Sequence, residues 1–369
     1  MSDYRDLSYA YIEFYVGMAK MVAYWHVQAL GFEVKGYLGP ETGVPDRVSY
    51  LVTKGNINLI FTSAAKPSSS EILSFVDRHG NGAKRIAYNV SNVAEIFEDA
   101  VASGATPIMS PKVFSDDSGE IVEASIKWLD DMELLFFDNS NYQGLFRLGY
   151  EELVIEGFTP NFDSGLTHID HIAYGLDQNQ TDYWCNYFQQ TFGGDITPNQ
   201  EPDDLATRYS GLLLKLLRTS SGVYSVFVEP LDKDSPSQVQ EYLDAYGGSG
   251  IQHMALHTKD IFSTMECLLA RGVDFVKYPD AYYDRLLKQG TDPELVERLR
   301  RYGLLYDEQG STYLLQTFTK PLGDRPTLFY EIIQRTNGYQ GFALNNIAEL
   351  YDAVEEEKSK RSDAAKIDV

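Results

Sequence analysis

The chain has 369 residues, enough for two ordinary domains, and 43% of them are hydrophobic, a content suited to sizeable cores. Acidic residues outnumber basic ones 54 to 31, giving a net charge of -23; nucleic acid and anionic membranes reward Lys and Arg clusters, so both are disfavoured as partners and the acidity reads as solubility. No apolar run approaches a membrane span, and Cys185 and Cys267 form no metal or redox motif, so the expectation is a soluble, cytoplasmic protein with reduced core thiols.

In chain order the sequence repeats itself. The stretch from Tyr11 runs from a strand into an aromatic-rich helix that ends at Gly31-Phe32, and the stretch from His168 does the same, ending at Phe192-Gly193-Gly194. The stretches from Arg85 and from His253 share a second layout: apolar strand, polar link, amphipathic helix, Gly, and a strand ending near Pro. Val93, Ile96, Phe97, Ala100 and Val101 mark the first of these helices, and Ile261, Met265, Leu268 and Leu269 the second. Further strands at 48–63 and 212–230 complete four βαβββ modules, near 8–65, 84–150, 167–231 and 250–335. Paired, they predict an α+β chain with an N-terminal domain at 1–150, a Gly, Pro, Asn and Ser-rich linker at 151–166, and a C-terminal domain at 167–369. A helical insertion at 282–306 interrupts the fourth module. A C-terminal helix near 345–358 aligns Ile347, Leu350, Tyr351 and Val354 on one stripe, so it packs against something, and the charged tail that follows is solvated.

Within the fourth module, residues 312–320 and 327–334 flank Pro-Leu-Gly-Asp-Arg-Pro, a hairpin signal. Alternation puts Gln316 and Phe318 on one face, and Phe329, Glu331 and Ile333 on one face of the partner strand. A carboxylate among apolar residues needs a proton, a cation or a metal beside it. Of six histidines, His171 shares a strand face with Ile169 and Ala173, and His253 with Ile251 and Ala255, each in the first strand of a module. A lone histidine on an apolar strand is more often a satisfied core residue. Two in repeated contexts, with Glu331 closing the second, match the two-imidazole, one-carboxylate triad that holds non-haem iron with positions left open. His168 and His257 read as supporting residues, His26 and His79 have no counterpart signal, and Glu13, Arg85 and Tyr88 do not rebuild a triad in the first half. Gln316, a strand glutamine among Leu315, Phe318 and Phe329, also needs a reason to be there.

The sequences IDH at 169–171, GIQH at 250–253, LLQTFTKPLGDRPTLFYEIIQR at 314–335 and the GF-to-NN stretch at 341–346 resemble the C-terminal domain of the 4-hydroxyphenylpyruvate dioxygenase and 4-hydroxymandelate synthase family, within the vicinal oxygen chelate superfamily. The resemblance is close from about 165 to 356 and looser before that. It implies open-barrel, glyoxalase-like domains; the C-terminal helix, with its one apolar stripe, is expected to act as a lid that keeps water from the oxygen chemistry. It implies Fe(II) held by His171, His253 and Glu331, and a small 2-oxo acid chelating that iron, oxidatively decarboxylated by O2 without added 2-oxoglutarate. By family position Gln238, Gln252 and Gln316 would line the polar side of the pocket, and Phe318, Phe329 and Phe342 would enclose an aromatic ring. A dimer or tetramer of identical chains is compatible with it.

Departures from the dioxygenase pattern shift the expected product. Asn345-Asn346-Ile347 stands where the dioxygenase has Gly-Asn-Phe, and the synthase also has Ile there. Val226-Phe227-Val228-Glu229-Pro230 replaces Pro-Leu-Asn-Glu-Pro, and Leu214 aligns with a usual Ser. Asn346 and Ile347 at the head of the lid, with Val226 and Val228 in a more apolar wall, turn the expectation from homogentisate to 4-hydroxymandelate. Homogentisate formation, a different 2-oxo acid such as phenylpyruvate, and a metal-free binding module of the same fold are the alternatives.

Overall fold

The computed structural model describes residues 7–155, 158–196, 212–231, 237–339, 341 and 346. The first module comprises β1 (Ser8–Tyr15), α1 (Ala19–Leu30), β2 (Glu33–Leu38), β3 (Arg47–Lys54) and β4 (Ile57–Ala64). After α2 (Ser70–His79), the second comprises β5 (Gly82–Asn89), α3 (Val93–Ala102), β6 (Pro107–Asp116), β7 (Gly119–Lys127) and β8 (Glu133–Asp138). The second half repeats the plan with β9 (Leu166–Gly175), α4 (Thr181–Phe192), β10 (Asp195–Ile196), β11 (Leu212–Arg218) and β12 (Tyr224–Pro230), then α5 (Gln238–Tyr246). It closes with β13 (Gly250–Thr258), α6 (Ile261–Ala270), α7 (Asp280–Lys288), α8 (Pro293–Tyr302), β14 (Leu305–Gln309), β15 (Thr312–Phe318) and β16 (Phe329–Thr336). The helical insertion is the pair α7 and α8.

Each half forms one eight-stranded curled sheet, ordered β2-β3-β4-β1-β5-β8-β7-β6 and β10-β11-β12-β9-β13-β16-β15-β14. Within each module the first and last strands pair in parallel, and the two modules of a half join through antiparallel β1·β5 or β9·β13. One face of each sheet carries the helices. Their apolar stripes merge into a single core in which Ile12 and Phe14 of β1 join Ile172 and Tyr174 of β9 and Met254 and Leu256 of β13. Trp128, fully buried, is ringed by Tyr174, Trp184 and Phe188 of the other half. Burying a large side chain contributes roughly 1.5 to 3 kcal/mol, so this shared layer binds the halves strongly.

Several details differ from the sequence-based expectation. Val101 and Leu269, the last residues of the two helical stripes, are exposed, because four residues suffice to fill each groove. Cys185 is buried but Cys267 is only half-buried on α6, and neither is in a disulfide. The short helices α2 and α5 bridge the modules without any long apolar stripe to announce them; Ser237 caps α5 by accepting from Gln240 N. Apart from Asn346, the expected C-terminal lid helix lies outside the described residues. No helix among the described residues is long and apolar enough to cross a membrane.

Candidate active site

Sheet register builds the site. Ala255 of β13 is directly opposite both His171 of β9 and Glu331 of β16, so His171, Ala255 and Glu331 form a row across three strands, with His253 one pleat along β13. Neighbouring strands lie about 4.8 Å apart, so the small side chain of Ala255 leaves a gap into which the outer two side chains converge. His171 Nε2 stands 3.2 Å and His253 Nε2 3.6 Å from Glu331 Oε2. One donor atom from each residue lies within 4.8 Å of the others.

Strict alternation would put Ile169 beside His171 and Ile251 beside His253, and both expectations fail. The β9·β13 ladder shifts register between Ile251 and His253 and again between Ala255 and Leu256, and Ile169 and Ile251 point into the helix-side core. These bulges let consecutive residues serve the same site. Asp170 Oδ1 accepts from His171 Nδ1 at 2.9 Å, and Gln252 Oε1 lies 3.4 Å from His253 Nδ1.

The electrostatics separate the two histidines. Burial opposes a charge on His171, but Glu331 and Asp170 outweigh it and lift its pKa to about 9 in the metal-free protein. Burial, aided by the nearby His171, pushes His253 well below the ordinary histidine range. Burial also opposes ionisation of Asp170, yet the paired Arg335 and His171 hold its carboxyl far below the usual range. His253 is oriented by packing: its ring stacks on Phe329 at 5.0 Å and meets Phe318 edge-on at 5.9 Å.

The donor set fits a metal ion. Glu331 Oε1 is buried with no hydrogen-bond partner among the described residues, and a carboxylate oxygen buried in that way calls for a cation. Two neutral imidazoles and a carboxylate on one side of a cavity leave the opposite coordination positions for other ligands.

The cavity beyond the triad has a volume of about 50 Å3. Val226, Val228, Gln238, Gln252, Gln316, Phe318 and Phe329 all line it, together with Leu212, Leu214, Leu314 and Ile333. Tyr242 of α5 packs with Leu212, Leu214, Val226 and Val228, and so closely on β9 that a Cβ on Gly175 would stand 2.6 Å from its ring. Gln238 Oε1 and Gln252 Nε2 are buried there without partners among the described residues.

A 4-hydroxyphenylpyruvate dioxygenase from Yarrowia lipolytica is 36% identical over 98% of this chain and 94% of its own length. The chain belongs to the 4-hydroxyphenylpyruvate dioxygenase family. It is an enzyme, an oxidoreductase of the dioxygenase class. An Aspergillus fumigatus member of this family is 34% identical over 96% of the chain and 93% of its own length. Among solved structures, a triple mutant of 4-hydroxymandelate synthase from Streptomyces coelicolor superposes with a TM-score of 0.85 at 28% identity, covering 96% of this chain and 99% of that one. No family model matches the sequence.

The family member's remaining histidines are engaged elsewhere. His168 and His257 stack at 4.5 Å with Thr167 Oγ1 within 2.9 Å of both. His26 lies between Val22 O and Tyr330 Oη, and His79 between Tyr246 O and Asp131. Asn346 is buried with its Oδ1 3.4 Å from the Tyr282 hydroxyl, whereas Phe342 and Ile347 lie outside the described residues. Sequence reasoning missed Asp170 and Arg335; a buried-strand Arg on the same face as Glu331, at 331, 333 and 335, was the available signal.

Proposed function

We propose that this enzyme uses O2 and Fe(II) to decarboxylate and hydroxylate an aryl 2-oxo acid, converting 4-hydroxyphenylpyruvate to 4-hydroxymandelate and CO2. His171, His253 and Glu331 would hold the iron, whose Lewis acidity and redox capacity supply the oxygen chemistry when bound. The protein's own share is orientation and dryness. Gln252, Gln238 and Gln316 present amides to the oxygens of the substrate, and Phe318 and Phe329 flank its ring while fixing His253. Asn346 and Ile347 would head a lid that excludes water.

The observation that carries the reading is the cavity wall: the lining residues of β11 and β12, Leu212, Leu214, Val226 and Val228, are all aliphatic. Such a wall packs an aromatic ring without pinning it by a hydrogen bond, so the ring can turn. Oxidation at the benzylic carbon or at the adjacent ring carbon then depends on small differences in how the ring is held. Ile347, smaller than Phe, leaves room for the pose that presents the benzylic C–H. The names of the curated relatives favour a second reading, 4-hydroxyphenylpyruvate to homogentisate at the same site. Incubating the Fe(II)-loaded enzyme with O2 and either 4-hydroxyphenylpyruvate or phenylpyruvate, then separating the isomeric products against standards, tests both. Mandelate as the main product is expected; dominant homogentisate would replace the first reading by the second.

A further inference from the structure

Arg335 sits two pleats beyond Glu331 on β16, about 13 Å along the strand and on the same face. Its guanidinium forks onto Asp170, with Nε 2.7 Å from Oδ2 and Nη2 2.8 Å from Oδ1, while Asp170 Oδ1 also accepts from His171 Nδ1. The third arm, Nη1, donates at 2.6 Å to the carbonyl of Gly341, the start of the segment that carries Phe342, Asn346 and Ile347. Asp170 is buried and the Arg335 side chain only 12% exposed, so solvent screens these bonds little. One guanidinium therefore grips the group that orients His171 and the backbone that leads into the C-terminal segment. A planar fork can satisfy both sites at once; an ammonium, a point donor, cannot.

We propose that Arg335 is a positioning residue that couples the orientation of His171 to the anchoring of the C-terminal segment at Gly341. This inference rests on the metal reading above. Through Asp170 it keeps the His171 proton on Nδ1 and leaves Nε2 facing Glu331, as carboxylates that support metal-bound imidazoles do. Through Gly341 it ties the root of the segment to the same strand that bears Glu331.

The test uses the full chain and two readouts that do not depend on turnover. Fe(II) affinity is measured anaerobically by competition with a chelator, and amide hydrogen exchange is followed in the metal-free protein for peptides covering 336–346. Arg335→Gln is expected to weaken Fe(II) binding about 10- to 100-fold and to speed exchange at 336–341 together. Arg335→Lys, which keeps the charge and guards against a folding failure, should fall between it and wild type on both readouts. Asp170→Asn, which spares the bond to Gly341, should weaken Fe(II) binding. Wild-type affinity in any folded variant would overturn the proposal, and so would weakened affinity in Arg335→Gln with unchanged exchange. If the wild-type chain itself fails to bind Fe(II), the metal reading falls instead.

Discussion

The two halves place the same row of the same fold to opposite uses. In the C-terminal sheet the row runs His171, Ala255, Glu331; in the N-terminal sheet the equivalent row across β1, β5 and β8 runs Tyr11, Ala87, Leu135, buried in an apolar cluster, and one pleat along, at the position His253 takes in the second half, Arg85 lies between Glu13 and Glu133. Arg85 fills the middle of its row with a side chain that carries the cation, pairing with Glu13 and with Glu133 Oε2 at 3.1 Å. Thr62 donates to Glu13 at 2.8 Å, and Arg147 pairs with Glu123 nearby at 2.7 Å. Tyr142, Phe146, Leu148 and Tyr150 pack over that concave face. The first half thus neutralises its own buried carboxylates and closes over them. The second half places His253 where the guanidinium would be and His171 and Glu331 where the first half has Tyr11 and Leu135, leaves Glu331 Oε1 unpartnered among the described residues, and keeps a cavity beside it. The duplicated sheet thus offers a cation a place, at His171, His253 and Glu331, where the first half has an apolar row and an internal guanidinium.

The comparison breaks most sharply at the triad. His171→Ala should abolish Fe(II) retention and turnover while circular dichroism stays native, because the strands are held by the shared core; metal analysis of the anaerobically purified protein is the check. His168→Ala, its partner His257 being outside the cavity lining, should leave the iron content unchanged. His253→Arg would give the second half the internal guanidinium of the first, and we expect a folded chain that holds no iron at this site. Retention of iron by His253→Arg would show that this imidazole is not what admits the metal.

In the other half, Arg85→Met removes one partner of a buried charge cluster. Leaving Glu13 buried with no ion-pair partner, while Glu133 keeps only Lys84 at 3.4 Å, should cost about 3 to 5 kcal/mol in a denaturant titration, with the iron stoichiometry per folded molecule unchanged. A fall in that stoichiometry would mean that the N-terminal row takes part in the metal site.

The pH dependence sharpens the same contrast. His171 in the metal-free protein has a pKa raised from 6.5 to about 9, so its pairing with Glu331 and Asp170 stabilises the fold fully below about pH 6.5 and is lost as pH rises through 9. The loss amounts to roughly 3 kcal/mol for the metal-free chain. Fe(II) competes with that proton, so its affinity should rise over the same window. Denaturation of the metal-free chain at pH 6.5 and 9, beside Fe(II) titrations at the same pH values, checks both directions. Stability that climbs with pH in the metal-free chain would refute the ion pair.

The smallest expected effect is on product choice. Ile347→Phe would add one aromatic contact to the substrate ring, roughly 0.5 to 1.5 kcal/mol, and a difference of about 1.4 kcal/mol changes a product ratio tenfold. The share of ring-oxidised product should rise by up to about that factor on a chromatogram; an unchanged ratio would remove Ile347 from the selection.

The repeated plan and the three candidate ligands were legible because each rests on a periodic signal: alternation isolates Glu331 among Phe329 and Ile333, and recurring modules set His171 and His253 in matching strands. Asp170 was not, since alternation sends it to the face opposite His171 and only a bulge brings it back. The meaning of Arg85 was hidden as well. Its place in the middle of a row depends on strand register across β1, β5 and β8, which no single stretch of sequence encodes. The helices α2 and α5 escaped notice although α3 and α6, equally short, did not, because α3 and α6 sit in a repeated strand-link-helix layout and α2 and α5 lie between the modules, outside it.

The central contrast is tested most directly by anomalous diffraction at the iron edge from crystals of the full chain grown anaerobically with Fe(II). We expect one strong peak bounded by His171 Nε2, His253 Nε2 and the Glu331 carboxylate, and none in the row of Glu13, Arg85 and Glu133. An empty triad, or a peak in the N-terminal row, would contradict the assignment of the metal to the half that lacks its own cation.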